Sequence, residues 1–298
     1  MKYLITGNGS FTNGMTKRLL DMGQEVVIFS RNEKNQVETK MKFNNEKLSF
    51  VIGDVRDYEA IKEATIGIDY VLHAAAMKHI DKCEQFPLEA KKTNIDGSVN
   101  VINACIENKV KKVILLSTDK SANATTIYGL SKMFMEMYGK CVDNKDTEII
   151  STRYGNVAGS NGSVIQIFKR LASEGKTLKI TNPEITRFFM SLDEAIDLVL
   201  YALENGKQGD LFVFNNKTCS LQELADCISD NQEIVGLRCV EKIDEALLTT
   251  SELNHSEFKD DYFRVNNEIV CDKYDKPLTS DNAEKFTKEE LKDLIDKC

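Results

Sequence analysis

Over roughly the first 155 residues, short apolar runs alternate with amphipathic stretches. Residues 2–6 (KYLIT), 25–30 (EVVIFS), 48–52 (LSFVI), 69–74 (DYVLHA), 112–117 (KVILLS) and 148–153 (EIISTR) read as strands. Such apolar strands are buried on both faces, which calls for a parallel sheet covered by helices. Helical spacing in residues 15–22, 58–64 and 94–108 supplies the crossovers. Right-handed connections then predict an α/β fold: a Rossmann-type, doubly wound parallel sheet.

The pattern changes after Arg153, where glycines, an Asn182-Pro183 turn and mixed polar segments predict a smaller C-terminal lobe. Residues 191–203 nonetheless read as a helix, with Ser191 and Glu194 forming a capping box, and residues 209–214 as a strand. Residues 287–297 form another expected helix, opened by Thr287 and Glu290. The predicted organisation is a dinucleotide-binding domain of residues 1–155 plus about 188–215, and a substrate-binding lobe of 156–187 plus 216–298.

Charge and composition narrow the functional classes. A formal charge of -8 speaks against a general nucleic-acid or membrane-surface binder. No apolar run approaches the roughly 20 residues of a membrane helix, and the N-terminus lacks the features of a signal peptide. The eight cysteines are scattered without a CxxC pair, so they read as reduced thiols and no metal site is expected. A cytoplasmic enzyme fits this composition.

Gly7-Asn8-Gly9-Ser10-Phe11-Thr12 stands between the first strand and the first helix. Glycines there let the backbone turn tightly and approach a pyrophosphate at the helix N-terminus. Thr12 occupies the place of the usual third glycine. The second strand ends in Ser30-Arg31-Asn32, without the acid that would bind a ribose 2′-hydroxyl. Arg31 can instead pair with a 2′-phosphate, which favours NADP over NAD. Cofactor contacts are expected from Thr6, Gly7, Gly9, Ser10, Phe11, Ser30, Arg31, Asp54, Val55, Ala74, Ala75, Ala76 and Asn94, together with Tyr128 and Lys132.

Ser117-Thr118-Asp119-Lys120 follows the fifth strand, and Tyr128 and Lys132 come shortly after with YxxxK spacing. Residues at i and i+4 share a helix face, so the ammonium is expected to stabilise a phenolate and lower its pKa toward that of a general base.

With these motifs in view, the chain resembles an extended short-chain dehydrogenase/reductase. It is similar in particular to the configuration-inverting UDP-N-acetylglucosamine 4,6-dehydratases of the polysaccharide-biosynthesis family. The stretches that carry the likeness include LITGNGSFTNG, HAAAMKHID, LSTDKSANATTIYGLSK, TRYGNVAGSNGSVI and VGLRCVEKIDEALLT, and together they reach from residue 4 to about 250. Asn123-Ala124 replaces the family's Asn-Pro, and Cys239, Val240 and Asp244 replace a Pro, a Gly and a His.

The resemblance implies that Tyr128, supported by Lys132 and Thr118, deprotonates the sugar C4 hydroxyl while NADP accepts hydride. Lys120 then removes the C5 proton, Asp119 protonates the departing C6 oxygen, and hydride returns to C6. Lys78, Asn156, Ser163, Val164, Arg187, Arg238 and Glu241 would hold the UDP-sugar. A homo-oligomer, dimer or hexamer, is implied as well. A nucleotide-sugar 4-epimerase or reductase of the same fold is the alternative, and a non-catalytic NADP-binding regulatory protein is the alternative of another class.

Overall fold

The computed structural model describes residues 1–160 and 162–298. The chain divides into two compact units, Met1–Arg153 with Ile196–Phe212, and Tyr154–Ala195 with Val213–Cys298.

In the first unit the predicted strands form: β1 (Lys2–Thr6), β2 (Glu25–Ser30), β3 (Leu48–Ile52), β4 (Tyr70–His73), β5 (Lys112–Leu116) and β6 (Glu148–Arg153). They lie in the order β6-β5-β4-β1-β2-β3, and every neighbouring pair is parallel. The helices are α1 (Ser10–Asp21), α2 (Glu33–Phe43), α3 (Tyr58–Ala64), α4 (Ile80–Gln85), α5 (Pro87–Ala90), α6 (Gly97–Glu107) and α7 (Ile127–Cys141). The sheet is apolar on both sides: Leu4, Val27, Phe29, Val71, Val113, Leu115 and Ile149 are buried on one face with Ile61, Ile102 and Met135 from the helices, and the alternate residues Ile5, Ile28, Leu72, Ile114 and Ile150 are buried on the other. A doubly wound α/β fold follows, as predicted.

Two details depart from the expected outline, and both bear on the site. Helix α1 starts at Ser10, directly after Gly9 as its N-cap, not at residue 15. The low apolar content of SFTN hid a first turn that tertiary context stabilises. The helix expected over 94–108 is in fact a π-helical turn, Lys91–Asp96, running into α6. Such turns are costly in isolation and concentrate at functional sites.

The second unit is irregular by comparison. A three-stranded sheet has Thr186–Met190 at its centre, paired antiparallel to Lys217–Ser220 and parallel to Asn156–Val157. Its core gathers Ile165, Phe168, Leu178, Ile180, Phe189, Leu224, Leu291 and Leu294. Both expected capping boxes form, Ser191 with Glu194 and Thr287 with Glu290. Sequence reading missed the amphipathic helix Val164–Ser173 and the hairpin Ser256–Lys259/Tyr262–Val265. Among the described residues, no helix is long and apolar enough to cross a membrane, and no cluster of metal-ligating side chains occurs.

Candidate active site

Strand order reverses between β1 and β4, and the carboxyl ends flanking such a switch point form a crevice. Gly7 leaves β1 there with φ +89°, and a β-carbon on it would stand 3.3 Å from the Ala75 backbone. Only glycine combines that φ with that approach. Its amide donates to the Phe29 carbonyl at 2.8 Å, closing the turn onto β2. Gly9 is exposed, and a β-carbon on it would meet nothing within 4 Å. The start of α1 is therefore open to an anion at its N-terminal amides. Thr12, at the third-glycine place, is buried in the unit.

One pocket in this unit is lined by Gly7, Asn8, Phe29, Ser30, Arg31, Asn32, Asn35, Gly53, Asp54, Val55, Ala75, Ala76 and Thr93. It gathers seven of the expected cofactor residues: Gly7, Ser30, Arg31, Asp54, Val55, Ala75 and Ala76. Arg31 is 57% exposed and reaches Asp54 at a long 3.5 Å. Burial opposes the Asp54 charge, yet hydrogen bonds from Arg56 and the Arg31 charge outweigh it, so the carboxyl titrates below its ordinary value. Beneath the rim, Gln36 donates to the Ser30 carbonyl and hydroxyl and to the Val51 carbonyl.

Thr118, Asp119 and Lys120 follow β5 on a short 3₁₀ turn, Asp119–Ser121, capped by the Thr118 side chain. Asp119 is 1% exposed. Its Oδ1 accepts from the Thr118 hydroxyl and from Lys120 Nζ, both at 2.9 Å. Its Oδ2 is buried without a hydrogen-bond partner, a condition that is expensive for a carboxylate and marks a group held ready for a ligand or a proton. Gly129 lets α7 pass close to this turn, since a β-carbon there would lie 2.3 Å from the Lys120 carbonyl oxygen.

Tyr128 opens α7 and hydrogen-bonds Thr118. Its pKa departs from the value expected of the YxxxK spacing. Burial pushes the phenol above its usual range, Asp119 adds to this, and the Thr118 bond only partly offsets it. Lys132, 3% exposed, donates to the Leu116 carbonyl at 2.8 Å instead of to the phenol. Burial lowers its own pKa to about 8, against the charge of Glu136. A shared helix face thus brings the two residues to one site without pairing them.

A chain of buried polar groups joins the two ends of the unit. Thr6 Oγ1 meets His73 Nδ1 at 2.8 Å and accepts from the Ala75 amide. His73 Nε2 meets Ser98 Oγ, and Ser98 donates to the Asn94 carbonyl. Asn94, on the π turn, donates to Ser131 and to the Met77 carbonyl, and Ser131 donates to the Tyr128 carbonyl. Thr6 and Asn94 are therefore framework of the site, bonded to side chains and backbone of their own unit. Sequence reasoning missed His73, Ser98 and Ser131, because each partner is remote in sequence.

The expected substrate residues divide between the units. Lys78 lies exposed between β4 and α4. In the second unit, Asn156 is half-buried on its strand, and Ser163 caps the helix that begins at Val164. Arg187 donates to the carbonyls of Thr186, Lys242 and Ile243, so its guanidinium clamps a loop. Glu241 accepts from the Thr181 hydroxyl and the Arg238 amide, and Arg238 is exposed.

Known proteins resemble the chain over most of its length. A profile of the family described as polysaccharide biosynthesis protein matches residues 3–267. A protein named UDP-glucose 4-epimerase from Rickettsia conorii is 41% identical, over 98% of this chain and 94% of its own. Pen from Bacillus thuringiensis superposes with a TM-score of 0.94 at 33% identity, covering 99% of this chain and 97% of that one. DesIV of Streptomyces venezuelae, a dTDP-glucose 4,6-dehydratase solved with NAD, shares the fold, with a TM-score of 0.70 at 20% identity over 80% and 85% of the chains.

Proposed function

Because the chain belongs to the polysaccharide-biosynthesis family of extended short-chain dehydrogenase/reductases, we propose that it is a nucleotide-sugar 4,6-dehydratase acting on UDP-N-acetylglucosamine. The observation that carries this reading is the Asp119–Lys120 pair. It is a buried acid and an amine in contact at 2.9 Å, directly after Thr118 and close to Tyr128. Elimination of water needs a base and an acid besides the residue that handles the C4 hydroxyl, and a 4-epimerase has no use for that second pair.

The residues present fit a nicotinamide dinucleotide. The positive φ of Gly7 and the open approach over Gly9 leave room that any β-carbon would take from a pyrophosphate. When bound, the cofactor supplies the reversible hydride acceptor at the sugar. The chain does the rest. Tyr128 takes the C4 hydroxyl proton, with Thr118 bonded to the phenol and the Lys132 cation lowering the energy of the phenolate. Burial holds the phenol pKa above its usual range, so its activation depends on charge brought near it. Along the 2.9 Å contact, a proton passes from Lys120 Nζ to Asp119 Oδ1. The free amine then takes the C5 proton, and the carboxylic acid gives its proton to the departing C6 oxygen. Asn156, Ser163 and Val164 would hold the nucleotide; Lys78, Arg238 and Glu241 would complete the set, and Arg187 would act through the loop it clamps.

NADP is the preferred cofactor on the strength of Arg31 at the pocket rim and the lack of an acid at the end of β2. A homo-oligomer draws support from Leu130, Phe134 and Met137, exposed along α7. A second reading, 4-epimerase, rests on the name of the relative at 41% identity.

Proton NMR of the protein with UDP-N-acetylglucosamine in deuterated water separates the two. A new C6 methyl signal with deuterium at C5 supports dehydration, and the ring couplings report whether C5 inverts. Appearance of the C4 epimer alone assigns the epimerase, and an unchanged sugar defeats both.

A further inference from the structure

Under the turn that bears Thr118, Asp119 and Lys120 lies a buried ion pair with no part in the chemistry above. Glu136, on α7, is 8% exposed and Arg153, the last residue of β6, is 2% exposed. The pair is bidentate, Arg153 Nε to Oε1 at 3.1 Å and Nη2 to Oε2 at 2.6 Å. The same Oε1 lies 2.7 Å from the Ser121 hydroxyl, which is also 2.6 Å from the Thr118 carbonyl oxygen. Ser121 closes the 3₁₀ turn through its own amide, which donates to that carbonyl. One carboxylate thus ties β6 and α7 to the turn that carries three reacting side chains.

Stability alone explains such a pair poorly. Desolvating two charges costs about as much as their attraction returns, and an apolar pair of similar volume would often serve as well. A carboxylate does two things an apolar group cannot: it fixes Ser121, and it sets a negative charge one helical turn from Lys132. We propose that Glu136 is a positioning residue of this site, fixing the Thr118–Lys120 turn through Ser121 and keeping Lys132 cationic, while Arg153 holds the carboxylate in place. The proposal rests on the reading of Thr118, Tyr128 and Lys132 as the reacting set.

The surroundings of Lys132 leave Glu136 as its main support. From β5 the Leu116 carbonyl accepts its hydrogen bond, the Met135 sulfur lies beside it, and on β4 stands His73, whose pKa burial lowers first and the Lys132 charge lowers further. Glu136 in turn faces Arg153 of β6 and the Ser121 hydroxyl. Glu136 alone raises the Lys132 pKa against burial.

The test compares the full chain with Glu136→Gln, Glu136→Asp and Ser121→Ala in turnover of UDP-N-acetylglucosamine against pH. The wild-type rate falls as Lys132 deprotonates, on an alkaline limb near pH about 8. Glu136→Gln moves that limb down by about one pH unit or more. Glu136→Asp keeps the charge and Ser121→Ala keeps the whole ion pair, so both lower kcat, by about tenfold, with the limb in place. A Glu136→Gln limb that coincides with the wild type's, turnover being lower at every pH, overturns the proposal. So does a displaced limb in Ser121→Ala, or in Glu136→Asp should the Gln variant not fold.

A second readout needs no substrate: the urea midpoint of the wild type relative to Lys132→Met, followed over about pH 6–11. A buried lysine of lowered pKa binds fewer protons folded than unfolded, so the wild type gains on the variant as pH rises past its folded pKa. In a Glu136→Gln background that gain starts at lower pH. If the wild type leaves the UDP-sugar untouched, the function proposed above fails while the earlier gain still supports this role. A gain that starts at the same pH in both backgrounds overturns the role itself.

Discussion

The two ends of the first unit solve different problems with different materials. Around Gly7 and Gly9 the pocket is shaped by backbone, and the charged groups at its rim, Arg31 and Asp54, touch at only 3.5 Å. Around Thr118 and Tyr128 almost every polar group is buried, and most are bonded at 2.6–3.1 Å: Asp119, Ser121, Glu136, Arg153 and Lys132. An anion is held adequately by amides and a mobile arginine, because Coulomb attraction falls off slowly. Moving protons demands fixed distances, and fixed distances demand burial and packing. Binding here tolerates looseness; the candidate chemistry does not.

The largest expected effect comes from Tyr128→Phe. Loss of the phenolic proton carrier should lower kcat by about 10³–10⁴. Cofactor affinity, read by calorimetry, should change by no more than about threefold, since one hydroxyl contact is removed. Activity within about tenfold of wild type would remove Tyr128 from the role of base and erase the contrast between the ends.

Asp119→Asn should be nearly as severe, but selectively. The elimination step loses its acid and should slow by about 10²–10³, whereas proton removal at the C4 hydroxyl keeps Tyr128. NMR would then report little or no methyl product, with any C4 exchange retained. Equal loss of both reactions would mean that Asp119 serves the turn and not the elimination.

His73 allows the buried framework to be broken by pH. Burial, then the Lys132 charge, lowers its pKa from 6.5 to about 3, so it is neutral when folded. The unfolded chain takes up that proton below pH 6.5 while the folded chain does not. Stability from this residue is therefore complete above 6.5 and lost as pH falls toward about 3, at about 1.4 kcal/mol per pH unit. His73→Gln, which can still hydrogen-bond but does not titrate, should flatten the acid side of a urea-midpoint profile. An unchanged slope would show that His73 is accessible to protons in the folded state.

How much of this could be read beforehand follows from how local each signal is. The six strands of the first unit were legible because an apolar run of five or six residues is sufficient to announce a doubly buried strand. Gly7, Gly9, Tyr128 and Lys132 were legible because each motif spans a few residues on one element. Ser121, Glu136 and Arg153 were not, since their meeting depends on strand order and on the depth at which α7 packs. The π turn that places Asn94 also escaped, because helical periodicity does not distinguish one inserted residue. In the second unit, short strands of two to five residues such as Asn156–Val157 offer too few positions for any period to show. Arg187 stood out there as a candidate, but its use as a clamp on Lys242 and Ile243 was not visible.

Arg31 is expected to give the smallest effect, and it returns to the looseness of the cofactor end. Asp54 is engaged by Arg56 at 2.8 Å, so it has little need of Arg31, whose 3.5 Å contact and exposure leave it mobile. A pair this exposed is worth only about 0–1 kcal/mol, so turning Arg31 toward a 2′-phosphate sacrifices little. Arg31→Ala should therefore weaken NADP binding by about tenfold, within the range of one charge-assisted hydrogen bond. NAD has no group for Arg31 to meet, and its affinity should change by less than about twofold. Should the two cofactors bind equally before the change and suffer equally after it, Asp54 becomes the group that meets the ribose, as an acceptor for its hydroxyl. The preference for NADP would then fall, while the Gly7 turn and the opening at Gly9, which meet only the pyrophosphate both cofactors share, would be unaffected.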